Sequence, residues 1–78
     1  MSHQKQIDEL YNKTQDALSQ GISTIIRSIS GKENRLQALI RMEKKLTIDI
    51  LKRINRIAIE NEDYETCEAI KDFTEGKK

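Results

Sequence analysis

From Leu36 to Ile59 the chain reads LQALIRMEKKLTIDILKRINRIAI, and its apolar residues return every three or four positions with no proline or glycine between them. At about 100° per residue, Leu36, Leu39, Ile40, Leu46, Thr47, Ile50, Leu51, Ile54, Ile57 and Ala58 fall within roughly 140° of arc. A face of that width has to be buried, so the stretch predicts one long amphipathic helix. Arg41, Lys45, Lys52 and Arg56 project within about 60° of one another on the opposite side, a cationic row roughly 22 Å long. Ile48 and Ile59 fall among these cations. The face is either an ordinary solvated one with two stray isoleucines or a docking surface, in which case the six residues Arg41, Lys45, Ile48, Lys52, Arg56 and Ile59 are expected to meet a partner protein with an acidic, partly apolar surface.

Seventy-eight residues place the chain where a single core supplies little net stability. The usual aids are disulfides, a metal or a partner chain. One cysteine cannot form an internal disulfide, and Cys67 with the single His3 cannot build a structural zinc site. Self-association remains. The face formed by Leu36, Leu39, Ile40, Glu43, Leu46, Ile50, Ile54 and Ile57 is the expected core of a homodimer or higher oligomer. Glu43 lies in the middle of that face. A buried lone carboxylate would cost several kcal/mol or take up a proton, so it should reach an edge, pair with Lys13 or the Tyr11 hydroxyl, or set the oligomeric state.

The first helix is expected from about residue 3 to 29, capped by Ser2, with Ile7, Leu10, Tyr11, Ala17, Leu18, Ile22, Ile25, Ile26 and Ile29 at steps of three and four. Gly21 lies beside Ile22 and Ile25 and costs about 1 kcal/mol against alanine in a helix interior. Close approach of a neighbouring helix would explain it, and so would simple tolerance of a glycine there. Ser30-Gly31-Lys32 forms the break, since Gly31 can adopt the left-handed conformation that ends a helix. Were Gly31 passed through, residues 3 to 59 would form one rod that only a dimer could bury. After the second helix, about 33–59, residues 60–62 turn the chain. Asp63 then caps a third helix, about 63–74, with Tyr64, Cys67, Ile70 and Phe73 on its inner face, and 75–78 fray. Absent proline, three glycines and 35% charged residues suit helices. The expected fold is all-α: an antiparallel hairpin of two long helices plus a short third, dimerising into a bundle.

Net charge is +1, but its distribution is uneven. Residues 27–56 carry nine Lys or Arg against three acids, and residues 57–78 carry three against seven. The basic middle keeps nonspecific binding to nucleic-acid phosphates as an alternative, although no aromatic residue is interleaved with the cations for base stacking. A peripheral membrane role for the Ile-rich end of the first helix with the cationic row is a further alternative. The sequence lacks a spanning apolar run and a signal-peptide core, so a cytoplasmic location is expected. No phosphate-binding glycine loop, metal-spaced His/Cys cluster or nucleophile–base pair is present in the sequence. Neither enzymatic activity nor a cofactor is expected.

Residues Leu51–Phe73, LKRINRIAIENEDYETCEAIKDF, resemble the UVR motif, a helical hairpin found in UvrB, UvrC and McsA-like regulators. The resemblance rests on Leu51 and Ile54, Ala58 before the turn, Glu60-Asn61-Glu62-Asp63, Tyr64 with Glu65, and Ile70-Lys71-Asp72. Cys67 and Glu68 stand where that family has two alanines, and Lys71 where it has arginine. The resemblance implies a hairpin used for protein contacts, often between copies of itself. In size and texture the chain also looks like small phage-encoded modulators of host or lysis proteins, so a regulatory adaptor is the expected role.

Overall fold

The computed structural model describes residues 2–76, with side chains from His3 onward. The Ser2 side chain that the expected cap needs, and Lys77 and Lys78, lie outside the described residues; Glu75 and Gly76, expected to fray, continue α4. Four α-helices follow one another: α1 (Ser2–Arg27), α2 (Lys32–Arg41), α3 (Ile48–Glu60) and α4 (Tyr64–Gly76), with a 3₁₀ turn at Glu43–Lys45 between α2 and α3. No strand occurs among the described residues. The all-α expectation holds, including for the β-branched second half of α1.

Gly31 does break the chain, but not as the left-handed end of the first helix: α1 stops earlier, at Arg27, and Gly31 lies at φ 88°, ψ 139°. It acts as the N-cap residue of α2, and its carbonyl accepts the Arg35 amide at 3.1 Å. The single helix expected over 33–59 is not formed. Met42 to Thr47 leave the α-helical path, and Thr47 starts a new helix by accepting the Ile50 amide on its hydroxyl at 3.2 Å. Asp49 in the first turn complements the positive end of α3. A projection at a fixed 100° per residue cannot register this break, since it gives each residue the same angle whatever backbone conformation it adopts. A threonine cap followed by an acid was the overlooked signal.

The break changes what the apolar face packs against. With α2 and α3 pointing differently, α1 lies against α3 while α4 lies against both α2 and α3. Ile22 and Ile26 from α1, Leu39 from α2, Leu46, Ile50 and Ile54, and Ala69, Ile70 and Phe73 from α4 close one core. Of the residues expected to form an oligomer core, Leu39, Leu46, Ile50, Ile54 and Ile57 are buried within the single chain and Leu36 is half-buried. Ile40 is exposed, and Glu43 sits exposed on the 3₁₀ turn, so the question of a buried carboxylate does not arise. α4 is also rotated from expectation. Thr66, Ala69, Ile70 and Phe73 face inward, Cys67 is intermediate and Tyr64 is exposed.

The turn between α3 and α4 terminates α3 in a Schellman arrangement. The Asp63 amide donates to the Ala58 carbonyl at 2.7 Å and the Glu62 amide to that of Ile59 at 3.0 Å. Glu62 occupies the left-handed position at φ 55°, where glycine is usual. Asp63 caps α4 as expected, accepting from the Thr66 amide at 3.4 Å and the Thr66 hydroxyl at 2.6 Å.

Arg35 ties this turn to the end of α1. Its Nη1 donates to Asp63 Oδ1 at 2.7 Å and to the Thr66 hydroxyl at 2.8 Å. Its Nε donates to the Ile29 carbonyl at 2.8 Å and its Nη2 to the Arg27 carbonyl at 3.2 Å. One buried guanidinium thus satisfies carbonyls at the negative end of α1 and the capping carboxylate at the positive end of α4.

Candidate functional site

The six residues expected to meet a partner are all exposed, but they do not form one row. The bend at Met42–Thr47 carries Arg41 and Lys45 away from α3. Arg41 borders the far end of α1, in a shallow recess with Ile25, Ile29 and Ala38. Arg41 ends α2 just before the 3₁₀ turn, and Lys45 is the last residue of that turn. Arg56 leans toward α1, where its Nη2 lies 3.8 Å from Asp16 Oδ1. The remaining three, Ile48, Lys52 and Ile59, stand four and seven residues apart on the outer face of α3.

Beside that face runs an apolar groove of about 410 Å³ between α3 and α4, lined by Ile48, Leu51 and Asn55 from α3 and Cys67, Ile70 and Thr74 from α4. Lys52 and Lys71 line it too, one from each helix. Ile48, at 74% the most exposed of the large apolar side chains, stands at one end. Lys71 had no expected role, because its position beside Lys52 depends on how α4 folds back. A surface that pairs aliphatic carbons with ammonium groups suits a segment carrying apolar side chains and carboxylates.

Cys67 lies in the groove wall, its thiol 4.0 Å from the Asn55 carbonyl. Burial, and then the charge of Asp63, push its pKa above the ordinary thiol value. The thiol stays protonated near neutral pH, which makes it an apolar lining atom rather than a nucleophile.

A second, polar recess lies between α1 and α3. There Arg53 Nη1 donates to Asp16 Oδ1 at 2.6 Å, Nη2 to the Asn12 side-chain oxygen at 3.0 Å, and Nε to Asp49 Oδ2 at 3.0 Å. These contacts fix α1 on α3 and consume the local acids. No group of three or more His, Cys, Asp or Glu able to hold a metal ion occurs among the described residues. No helix is long and apolar enough to cross a membrane among them.

Compared with known protein families, characterised proteins and solved structures, the chain finds no match.

Proposed function

We propose that this chain is a small non-enzymatic interaction protein that binds and regulates a partner protein through the outer face of α3 and the groove beside it. The observation that carries this reading is the apolar groove lined by Lys52 and Lys71, with Ile48 exposed at its mouth. An amphipathic partner segment would set aliphatic side chains against Ile48, Leu51 and Ile70 and carboxylates toward the two lysines, as helix-in-groove recognition does. The resemblance of residues 51–73 to UVR hairpins, which serve as protein contacts, supports the same assignment. A nucleic-acid role has less to rest on, since its continuous cationic row is split by the bend and Arg56 lies near Asp16.

The test compares the wild-type chain with Ile48→Asp/Lys71→Glu as baits in lysate of the native host, at low and high salt. The expected result is one protein retained by wild type at both salts and lost by the variant. Retention of nucleic acid released by salt, or of a protein indifferent to both substitutions, would overturn the assignment.

A further inference from the structure

The groove does not account for the outer face of α1. Every residue from His3 to Thr14 is exposed, so this half of the 26-residue helix buries no side chain against the body, which it meets at the Asn12–Arg53 hydrogen bond. Isolated helical segments of that length are marginal in water. Ile7, Leu10, Tyr11, Leu18 and Ile25 are each 46–67% exposed. They are not scattered. Ile7, Tyr11, Thr14, Leu18, Gly21 and Ile25 alternate steps of four and three, the spacing of a coiled-coil seam. On the helical projection they fall within about 80° of arc, centred about 110° from the side that buries Ser19, Ile22, Ser23 and Ile26. α1 therefore carries two apolar faces, and only one is covered.

Gly21 supplies a second observation. A Cβ there would meet nothing within 4 Å, so no contact inside this chain calls for a glycine. Its lack of a side chain makes sense if the backbone at that point is approached from outside.

We infer that the outer face of α1 pairs antiparallel with α1 of a second copy, Tyr11 of each chain seating over Gly21 of the other. In this register Ile7 lies opposite Ile25 of the second copy and Thr14 opposite Leu18, with the two-fold axis at the level of Asp16 on the chain. Tyr11 meets the small Gly21, and Asp16, the residue level with its own mate at the axis, projects on the side of α1 opposite the seam. A parallel pair in register would instead stack Tyr11 on Tyr11 and leave a gap at Gly21. The antiparallel pair also lays each exposed N-terminal half along the body-supported half of the other helix. With Leu10 included, each copy offers roughly 500 Å² of exposed apolar side chain, and the polar flanks bring this near the ~800 Å² per partner of a stable interface. A lipid surface fits less well. Lys5, Lys13 and Arg27 on α1 are balanced by Asp8, Glu9 and Asp16, so the helix lacks the cationic excess of a membrane-surface helix.

The experiment is sedimentation equilibrium on the full chain, with Leu18→Glu and Gly21→Leu as variants. Wild type should weigh twice the 9.1 kDa chain. Each variant should raise the dimer dissociation constant at least about 100-fold while residues 16–76 keep a dispersed amide NMR spectrum. Leucine at position 21 enters open space in the single chain and favours helix, so loss of the dimer there reports the seam and not the fold. Adding Tyr11→Ala to Gly21→Leu restores a large residue opposite a small one and should recover the dimer. A nitroxide on Lys5→Cys in a Cys67→Ser background should show roughly 40 Å between copies, against roughly 25 Å for a parallel pair. Wild type monomeric at roughly 100 µM, dimers indifferent to both variants, or the shorter distance would each overturn the inference. So would a monomer that floats with phosphatidylserine-containing vesicles.

Discussion

Replacing Arg35 with methionine keeps most of the side chain's reach and removes all of its N–H donors. Four groups lose a donor at once: the Asp63 carboxylate and the Thr66 hydroxyl, which keep only their bonds to each other, and the carbonyls of Arg27 and Ile29. The Arg35 and Asp63 side chains are only 10% and 13% exposed, so neither charge is well hydrated. Removing one member of such a pair leaves the other buried without compensation and costs about 3–5 kcal/mol. The contact to Glu65, at 3.7 Å with that carboxylate half exposed, adds little. A domain of this size has a total stability on the order of 4–12 kcal/mol, so Arg35→Met should lower the urea midpoint by about a quarter or more, read by circular dichroism. Arg35→Lys should recover little, because an ammonium cannot span the two carbonyls and the carboxylate as the guanidinium fork does. In Arg35→Met/Asp63→Ala the stranded charge is gone, and the double variant should be more stable than the sum of the two single losses predicts, by at least ~1.5 kcal/mol. A loss below about 1 kcal/mol for Arg35→Met would refute the idea that this guanidinium holds α1 to the α3–α4 turn.

The remaining predictions concern particular groups. Burial acts to raise the pKa of Asp63, but the Thr66 and Arg35 hydrogen bonds outweigh it and hold the carboxyl below its ordinary 3.8; stability from this network should be full above that pH and decline as pH falls through the folded value, and Asp63→Asn should flatten that decline in acid denaturation curves. Glu62→Gly relieves a left-handed glutamate at φ 55° and should stabilise the fold by about 1 kcal/mol, unless the added freedom of the unfolded chain cancels it, in which case the urea midpoint stays put. The Ser19 and Ser23 hydroxyls are buried without a hydrogen-bond partner, so Ser23→Ala should raise stability by about 1 kcal/mol; a loss of stability would mean that the hydroxyl is satisfied after all. Cys67, with its raised pKa, should alkylate more slowly than an unfolded-chain thiol at pH 8 and reach the ordinary rate in urea; equal rates would place the thiol outside the groove wall.

Several features were legible because they depend on local chemistry. The break at Gly31 followed from glycine's tolerance of positive φ, and the cap at Asp63 from a short carboxylate preceding an apolar helical pattern. The inward side of α3 was legible too, as Ile50, Ile54, Ile57 and Ala58 show. The bend at Met42–Thr47 was harder to see, because a helical projection assigns each residue a fixed angle whatever its backbone does, while Glu43–Lys45 turn at three residues per turn and Leu46 and Thr47 are extended. Once the bend is present, Arg41 and Lys45 leave the row they were expected to share with Lys52 and Arg56. Arg35 was invisible as a hub. Nothing in its neighbours distinguishes it from a solvent-facing arginine, and its partners Asp63 and Thr66 lie 28 and 31 residues away.

The sequence alone determined that this chain is helical, where the Asp63 cap and the Gly31 break fall, and which aliphatic residues seek burial, because those properties act over one or two turns of backbone. Tertiary structure decided what the apolar faces meet. By bending between α2 and α3, the chain covers within itself the face that seemed to need a second copy. It leaves open a different one, on α1, and brings Lys71 beside Lys52 across a groove. Such outcomes depend on the relative directions of helices, which are set by the summed packing of residues far apart along the chain.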